Sequence, residues 1–249
     1  MKVLILAAGY ATRLYPLTKE RAKPLLPVGD RPVIGHLLEK AKLLPDLSEI
    51  LVVTNHKFYP QFEAWARGLS LPIPLRILDD GTGSEEDRLG AIGDIQFAIR
   101  QREIQEDLLV LGGDNLFDFE LGPFVLFAKK RVPFCSVMLY DVTDFVLARQ
   151  YGIVTLDKGG RAIALEEKSK SPRSTLASMA VYFFPKQTLS YFEEYGRLSH
   201  SKDAPGFYLK WLVETKGVYG FVAQGRWFDI GDMASYEKAC DTFKKEVKT

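Results

Sequence analysis

The chain opens on Val3-Leu4-Ile5-Leu6-Ala7-Ala8-Gly9, an apolar run that passes directly into a glycine-containing loop. The apolar part covers six residues, and the first charge after it is Arg13. Such a run is shorter than the apolar core of a usual signal peptide, and an early arginine argues against one. We therefore predict a buried first strand whose carboxyl end carries the loop.

Four more apolar runs follow the first, at residues 50–54, 75–78, 108–112 and 134–139. Segments with apolar residues at three- and four-residue spacing lie between them, at 33–44, 59–68, 89–101 and 121–131. Two-sided apolar strands that alternate with amphipathic helices are typical of a parallel sheet covered on both faces. We predict an α/β fold with a doubly wound sheet that is mixed but mainly parallel.

The pattern changes after Tyr140. Two strands are predicted at 152–156 and 162–166, joined by Asp157-Lys158-Gly159-Gly160 as in a β-hairpin. Later strands are predicted at 176–184, 218–222 and 227–230, and helices at 186–195, 205–215 and 232–247, the second of them capped by Asp203. We predict one domain over residues 1–249, with a first half at 1–140 and a second-half subdomain with a closing helix at 141–249.

The composition is that of a folded, nearly neutral protein. Of 249 residues 47% are hydrophobic, and 33 Lys and Arg face 32 Asp and Glu. These values exclude extended disorder and a protein that binds nucleic acid through bulk charge. No stretch approaches the roughly 18 apolar residues of a membrane span. Cys135 and Cys240 have neither metal-ligand nor disulfide spacing, and His36, His56 and His200 lie in no ligand motif. We expect a soluble, cytoplasmic protein that binds neither nucleic acid nor membrane.

The loop behind the first strand combines an accessible backbone with local positive charge. Ala8 and Gly9 leave backbone N–H groups unobstructed, so that phosphate oxygens or a flat base can approach. Arg13 offers a planar fork of donors that suits a polyphosphate. Five basic and two acidic residues lie between Arg13 and Arg31, a local charge of +3. Solvated surface charge is the alternative, but at the carboxyl end of a first parallel strand this pattern favours an anionic ligand.

Four motifs in this region resemble those of a single family. They are Leu6-Ala7-Ala8-Gly9, Thr12-Arg13-Leu14, Pro16-Leu17-Thr18 and Lys23-Pro24-Leu25-Leu26-Pro27-Val28. In this order they resemble the sugar-1-phosphate nucleotidyltransferases, also called nucleotide-sugar pyrophosphorylases. The resemblance implies a Rossmann-like nucleotidyltransferase fold and a reaction of a nucleoside triphosphate with a sugar 1-phosphate. It also implies nucleotide binding by Leu6, Ala7, Ala8, Gly9, Thr12, Arg13, Asp80, Arg88 and Gly90.

The reaction brings two anions together, so it needs positive charge more than a general base. Mg²⁺ prefers carboxylate oxygens. Leu111-Gly112-Gly113-Asp114-Asn115 resembles the family's Gly-Asp motif, and Trp227-Phe228-Asp229-Ile230-Gly231-Asp232 resembles its second metal motif. The resemblance implies that Asp114 and Asp229 hold Mg²⁺. Asp232 directly precedes a predicted helix and is interpreted as a helix cap.

A further group of motifs belongs to the acceptor. Leu165-Glu166-Glu167-Lys168 resembles the family's Glu-Glu-Lys element, in which the second Glu binds sugar hydroxyls and the Lys meets the sugar phosphate. Exposed charges at a hairpin end are the alternative. Tyr151-Gly152 resembles a Tyr-Gly pair whose glycine lets the sugar approach the backbone. The resemblance thus implies sugar-phosphate binding by Asn115, Tyr151, Gly152, Glu167 and Lys168, and catalytic roles for Arg13, Lys23 and Lys168.

Three stretches depart from the family pattern, and the smallest change is Ser169 in place of the usual proline after Glu-Glu-Lys. Ser178-Met179-Ala180 stands where relatives often have Ala-Gly or Thr-Gly beside the sugar, so we expect Met179 and Ala180 to crowd or reshape that wall. The base-side loop, residues 79–91, carries added acidic residues and Arg88. These side chains contact the base or ribose, or they cap a helix through Asp87 and pair across the loop. The sequence leaves both interpretations open, and with them the identities of base and sugar.

Two other functions fit part of the pattern. A cytidylyltransferase for phosphocholine or an inositol phosphate would share the opening loop and the acidic pair, but Glu167-Lys168 favours a hydroxyl-rich acceptor. A non-catalytic nucleotide-sugar sensor would share the fold without needing the metal pair. We therefore expect a Mg²⁺-dependent enzyme whose partners are a nucleoside triphosphate and a phosphorylated sugar. A homo-oligomer is compatible with the sequence, although no residue pattern requires one.

Overall fold

The computed structural model describes residues 1–198 and 205–246, so the predicted cap Asp203 and the candidate His200 lie outside the described residues. The strands within these ranges are β1 (Lys2–Leu6), β2 (Pro27–Val28), β3 (Arg31–Pro32), β4 (Glu49–Thr54), β5 (Leu75–Asp79), β6 (Leu108–Gly112), β7 (Asn115–Phe117), β8 (Cys135–Asp141), β9 (Gly152–Leu156), β10 (Ala162–Glu167), β11 (Leu176–Phe184), β12 (Val218–Val222) and β13 (Trp227–Asp229). The α-helices are α1 (Val33–Ala41), α2 (Tyr59–Arg67), α3 (Gly90–Gln101), α4 (Gly122–Lys129), α5 (Phe145–Ala148), α6 (Tyr191–Arg197), α7 (Pro205–Thr215) and α8 (Met233–Glu246).

Nine of these strands form one sheet. Its main path runs β10-β9-β11-β6-β1-β4-β5, and β8 pairs with both β11 and β12. The strands β6, β1, β4 and β5 pair in parallel, and β11 pairs antiparallel with β6, β8 and β9. Because β12 is parallel to β8 and β10 antiparallel to β9, seven of the nine strands in the described sheet share one direction. The predicted mixed, mainly parallel sheet is confirmed.

Helices cover both faces of this sheet. The side chains of Val3 and Ile5 on β1 pack into a core with α1, α2 and α4. Leu4, between them, packs into a second core with α3, α6 and α7. Successive side chains of a strand point to opposite faces, so β1 is buried on both. The doubly wound arrangement is therefore as predicted. In the two described ranges, none of the helices combines the length and apolar character that crossing a bilayer requires.

Most predicted elements are present, with ends shifted by up to three residues. The single helix predicted over 186–195 is wrong. Lys186–Thr188 is a separate 3₁₀ turn, and α6 begins at Tyr191. Both the backbone N–H and the hydroxyl of Thr188 donate to the carbonyl oxygen of Pro185 at 2.8 Å. These two bonds close the turn and separate it from the helix that follows.

The carboxyl ends of β1 and β6 approach each other closely at Gly113. Its N–H donates to the carbonyl oxygen of Leu6 over 2.8 Å. A Cβ atom at this position would overlap that oxygen, so any other residue would push the two strand ends apart. Gly113 therefore sets the distance between the opening loop, which follows β1, and Asp114, which follows β6.

Candidate active site

A cavity of about 520 Å³ lies where β1 and β6 end. Its wall contains residues that the sequence assigned separately to nucleotide, metal and acceptor. These are Leu6, Ala8, Gly9, Thr12, Arg13, Lys23, Arg88, Gly90, Asp114, Tyr151, Gly152, Glu167, Lys168 and Asp229. The opening loop, the start of α3, the β9–β10 hairpin and the end of β13 thus share one concave space.

Three predicted site residues do not line this cavity. Ala7 is buried, and its N–H donates to a carbonyl oxygen of β4. Asp80 uses one carboxyl oxygen, Oδ1, to accept from the N–H and the hydroxyl of Thr82, each at 2.7 Å. Asn115 accepts from the indole N–H of Trp227 over 2.6 Å and is buried. These side chains hold the backbone around the cavity without forming its wall.

The opening loop is held by bonds to Ala11. Ala11 has a left-handed backbone, with φ at 51°, and its carbonyl oxygen accepts from the N–H of Leu14 and the hydroxyl of Thr18. Leu14 is fully buried and anchors the 3₁₀ helix Thr12–Leu14 in a small core. Arg13 lies between Thr12 and the buried Leu14, and its side chain is exposed at the cavity. No atom lies within 4 Å of a Cβ built on Gly9, so the loop leaves open space there.

The short strands β7 and β13 bring the two motif aspartates together. They pair antiparallel, with Asp229 opposite Asn115. The N–H of Ile230 donates to the carbonyl oxygen of Asp114 over 3.0 Å. Both aspartates line the same cavity. Residues from the two halves of the chain therefore meet at one place because of this two-stranded ribbon.

Lys23 joins these two regions. Its Nζ atom donates to Oδ2 of Asp114 over 2.8 Å and to the carbonyl oxygen of Ile230 over 2.9 Å. The side chain is only 16% exposed. Lys23 lies in the 3₁₀ helix Lys23–Leu25, which packs against α1. The ammonium group is therefore fixed beside the carboxylates, since a charge-assisted hydrogen bond and a backbone carbonyl both hold it.

The electrostatics of the pair favour a cation. Burial works to raise the pKa of Asp114, but the charge and hydrogen bond of Lys23 outweigh it, so this pKa is lowered. Burial and the charge of Asp114 raise the pKa of Asp229 to about 6, against the opposing charges of Lys23 and Arg13. Two carboxylates thus share one ammonium, and hard oxygen donors of this kind fit Mg²⁺. Within the described residues no cluster of three or more His, Cys, Asp or Glu side chains forms a metal site.

The acceptor motif closes the other side of the cavity. Glu167 ends β10 and pairs with Gly152 of β9. A Cβ on Gly152 would lie 2.7 Å from the Glu167 carboxylate, and one on Gly206 of α7 would overlap it. Burial raises the pKa of Glu167, and the charge of Lys168 opposes that rise. Lys168 has a left-handed φ of 47°, and its N–H donates to the carbonyl oxygen of Tyr151 over 3.0 Å. This backbone conformation and this bond turn the chain at the cavity.

Met179 does not reshape the acceptor wall, contrary to expectation. The pairing of β11 with β8 shifts register between Ser178 and Tyr182. Within this bulge Ala180 has a left-handed φ of 54°, and Met179 is 1% exposed in the core. Neither residue lines the cavity. The bulge directs the larger side chain into the core, which is why the departure from the family pattern does not fill the site.

The base-side loop is closed by its own acidic residues. Asp87 accepts from the backbone N–H groups of Gly83 and Ser84, at 3.1 and 2.8 Å. It does not cap α3, which begins three residues later, so that part of the interpretation is wrong. Arg88 pairs with Glu85 across 3.3 Å, as the cross-loop alternative predicts, and both line the cavity.

Weaker candidates have ordinary structural partners. Asp232 accepts from the N–H of Ser235 over 2.8 Å at the start of α8, so the predicted helix cap is confirmed. His36 Nε2 lies 2.8 Å from a backbone carbonyl oxygen, and His56 Nδ1 lies 2.6 Å from Asp79. In the described residues both histidines thus have local partners and neither belongs to the cavity.

The sequence did not identify several cavity residues, namely Tyr10, Ala11, Glu85, Ala91, Asp94, Gln150 and Gly231. Asp94 is the most unusual of them, because it is only 5% exposed. It lies between the buried side chains of Ile92 and Ile95 on α3. An acidic residue that interrupts an apolar helix face is a signal that could have been noticed, since charged side chains are rarely buried without a partner.

A sequence model of the family described as nucleotidyl transferase matches residues 2–246. The bifunctional protein GlmU of Methanocaldococcus jannaschii is 26% identical over 239 residues, covering 93% of this chain and 51% of that protein. The glucose-1-phosphate thymidylyltransferase of Mycolicibacterium smegmatis is 29% identical over 264 residues, covering 97% of this chain and 81% of that protein. For three similar relatives the chain spans only 51%, 56% and 58% of their length.

One solved structure has a similar fold along nearly the whole chain. It is a crystal structure, in complex with a sucrose, of a protein described as a glucose-1-phosphate thymidylyltransferase from Bacillus anthracis. The TM-score is 0.81, with 24% sequence identity, and the match covers 98% of this chain and 95% of that one. At this identity the likeness concerns the fold.

Proposed function

Because this chain belongs to the nucleotidyl transferase family, we propose that it converts a nucleoside triphosphate and a sugar 1-phosphate into a nucleoside diphosphate sugar and pyrophosphate. The observation that carries the proposal is the shared cavity. It unites the basic opening loop, the carboxylates of Asp114 and Asp229, and the Glu167–Lys168 pair. Two phosphorylated substrates need such a combination of cations and metal-binding oxygens, whereas a binding protein for a single nucleotide sugar does not.

We assign the two halves of the chain to the two substrates. In this proposal the first half, residues 1–140, binds the nucleotide through the opening loop and the start of α3. The second half, residues 141–249, binds the acceptor through the β9–β10 hairpin and the start of α7. Asp229 belongs to the second half in sequence, but the β7–β13 ribbon carries it to the first. Reaction between the substrates would then occur at that ribbon.

Asp114 and Asp229 are the residues that would hold Mg²⁺. The fit rests on the donor set, because two carboxylates line the cavity together and the Lys23 ammonium bonds to one of them, that of Asp114. When bound, Mg²⁺ neutralises phosphate charge and polarises the α-phosphate. Water and phosphate oxygens would supply the ligands that the chain does not.

The remaining chemistry is one of positioning by fixed cations. An oxygen of the sugar phosphate forms a bond to the α-phosphorus, and the bond from that phosphorus to the bridging β-phosphate oxygen breaks, releasing pyrophosphate. Arg13 would bind the triphosphate and the leaving pyrophosphate. Lys23 and Lys168 would hold the two reacting phosphates from opposite sides. No general base is required, because the acceptor phosphate, with a second pKa of about 6, is already largely ionised near neutral pH.

The sugar itself would be bound by Glu167. Its carboxylate is positioned between two glycines, Gly152 and Gly206, and so can accept hydrogen bonds from hydroxyl groups. Gly152 also leaves room for the ring to approach the backbone. This arrangement favours a hydroxyl-rich acceptor. Free cysteines at 135 and 240 suit a reducing compartment, and we place the reaction in the cytoplasm.

Purified protein incubated with a panel of triphosphates and sugar 1-phosphates tests the proposal. Pyrophosphate release and formation of a nucleotide sugar, both dependent on Mg²⁺, are the expected results. Each substrate alone serves as the control for simple hydrolysis. Binding of a nucleotide sugar without pyrophosphate release from any combination would overturn the proposal in favour of a sensor.

A further inference from the structure

We propose that Asp94 recognises an exocyclic amino group of the base, so that this chain selects a nucleoside triphosphate whose base carries one. The inference deepens the proposed function and rests on the nucleotide binding at the start of α3. It concerns cytosine, adenine and guanine as a class, against uracil and thymine, whose exocyclic groups are carbonyl oxygens and a methyl.

Asp94 is a polar side chain of the cavity wall that is almost fully buried. It is 5% exposed and lies in the first half of α3, next to the wall residues Gly90 and Ala91. Gly9 and Tyr10 of the opening loop line the same cavity. Asp94 is thus set among small wall residues at the start of α3, with the ion pair of Glu85 and Arg88 in the same wall. A buried polar group in such surroundings decides which ligand atoms are tolerated.

The partner of Asp94 is Asp80, at the end of β5. Oδ1 of Asp80 accepts from Thr82, whereas Oδ2 of Asp80 and Oδ1 of Asp94 are both sealed from solvent without a donor among the described residues. Two sealed carboxyl oxygens can be satisfied together if one proton lies between them. Burial and the charge of Asp80 raise the pKa of Asp94 to about 8, so the proton belongs on Asp94.

A proton shared in this way determines what Asp94 offers to a ligand. If the hydroxyl of Asp94 donates to Asp80, its second oxygen has no proton and acts only as an acceptor. An amino group of a base would donate to that acceptor. A carbonyl oxygen in the same place would face an acceptor and lose its own hydrogen bond to water, a mismatch that costs binding.

The base-side loop carries more acidic than basic side chains. Residues 79–87 include five acidic side chains, at positions 79, 80, 85, 86 and 87. The hydroxyl of Tyr10 already donates to the carbonyl oxygen of Thr82 over 3.3 Å. Arg88 is paired with Glu85 at 3.3 Å. The loop therefore supplies more side-chain acceptors than side-chain donors, which favours N–H groups on the ligand.

Nucleotide binding measured by calorimetry in the presence of Mg²⁺ tests the proposal without requiring turnover. The informative pairs each exchange one exocyclic amino group. CTP against UTP and ATP against ITP replace it by a keto oxygen, and the adjacent ring nitrogen changes from acceptor to donor. GTP against ITP replaces it by hydrogen alone. We expect the amino-bearing nucleotide to bind roughly tenfold tighter in at least one pair. Equal or tighter binding of the keto or unsubstituted partner in every pair would overturn the proposal, whatever the variants do.

Asp94→Asn separates recognition from structure. Its amide N–H can donate to Asp80 while its oxygen faces the ligand, so we expect this variant to keep the preference. Asp94→Ala removes the acceptor, and for that variant we expect the preferred pair to approach equal affinity. Glu86→Gln removes one charge from the same loop without touching the Asp80–Asp94 pair, and its affinity ratio should match that of the unchanged protein. An unchanged ratio in Asp94→Ala, with cooperative unfolding retained, would contradict the role.

The same measurements keep the two proposals apart. If the amino preference and its loss in Asp94→Ala are observed but no acceptor yields pyrophosphate, the proposed reaction fails while the assignment of Asp94 stands. If pyrophosphate is released but UTP or dTTP is the best-bound nucleotide, the reaction stands and the assignment fails.

Discussion

The Nζ atom of Lys23 lies 2.8 Å from Oδ2 of Asp114, so the opening loop and the end of β6 are joined by a charged hydrogen bond inside the cavity. The same ammonium also holds the carbonyl oxygen of Ile230. One side chain therefore links three segments that are far apart in the sequence. Its loss should affect both the stability of the protein and the charge available to the phosphates.

Replacing Lys23 should lower both the free energy of unfolding and the turnover, and a second substitution should separate the two effects. Lys23→Met leaves the Asp114 carboxylate without its cation, and we expect a loss of about 1–3 kcal/mol in the free energy of unfolding. The double variant Lys23→Met with Asp114→Asn should recover much of that stability but none of the turnover. Urea unfolding and pyrophosphate release measure the two effects. Additive losses of stability in the double variant would contradict the coupling.

Arg13 should matter for turnover and hardly at all for folding, because its side chain is exposed at the cavity. We expect Arg13→Ala to lower kcat by about 100-fold or more, since one fixed positive charge at the reacting phosphates is removed. Arg21→Ala, an exposed arginine outside the cavity wall, is the matched control and should retain activity. Near-normal turnover of Arg13→Ala would refute its assigned role.

Asp229→Asn should weaken the response to Mg²⁺ while it keeps or increases the stability of the metal-free protein. The substitution removes the repulsion between two half-buried carboxylates, so we expect the metal-free protein to unfold at an equal or higher temperature. Addition of MgCl₂ should raise the melting temperature of the unchanged protein by mass action, whereas the variant should show little response. A full Mg²⁺ response in Asp229→Asn would exclude this residue as a ligand.

The raised pKa of Asp94 predicts a pH-dependent stability. Its pKa of about 8 in the folded state lies above the ordinary value of about 4, so the folded protein holds a proton that the unfolded chain releases. Stability attributable to Asp94 should therefore fall as the pH rises from about 4 to about 8. In Asp94→Asn this slope should be smaller, because the group that titrates is absent. Across that window the free energy of unfolding of the variant should therefore rise, relative to that of the unchanged protein, by on the order of a few kcal/mol. Parallel pH profiles from urea unfolding would contradict the assignment.

Gly206 should be needed for the acceptor but not for the nucleotide. A methyl group there would overlap the Glu167 carboxylate, so Gly206→Ala should displace that side chain. We expect turnover to fall by about 10–100-fold through a higher KM for the sugar phosphate, with unchanged nucleotide affinity. Gly122→Ala at the start of α4, where a Cβ meets no atom within 4 Å, is the control. Equal losses in both variants would contradict a specific contact with Glu167.

The sheet and its helices were predictable because burial on two faces has a direct trace in the sequence. Val3 to Leu6 are continuously apolar, and both sides of β1 are covered. The direction of β11 was not predictable, since a central antiparallel strand is as apolar as a parallel one. The bulge in β11 also has no recognisable sequence pattern. Met179 was for that reason predicted at the cavity wall, whereas it lies in the core.

The cavity was predictable where local motifs mark it and unpredictable where distant residues meet. Lys23, Asp114 and Asp229 were assigned from motifs, and the geometry then placed them in one wall. The pairing of Asp80 with Asp94 depends on how β5 and α3 pack, which no short motif encodes. The sequence therefore predicted the side chains for phosphate and metal better than those that would recognise the base.

The reversed strand β11 has a mechanical consequence. It is hydrogen-bonded to β8 along one edge and to β6 and β9 along the other. A hinge motion between the two halves of the chain would have to break this ladder, which costs far more than the movement of a loop. We therefore expect any ligand of the cavity to be enclosed by small rearrangements at the rim, with the floor of the cavity as a rigid platform.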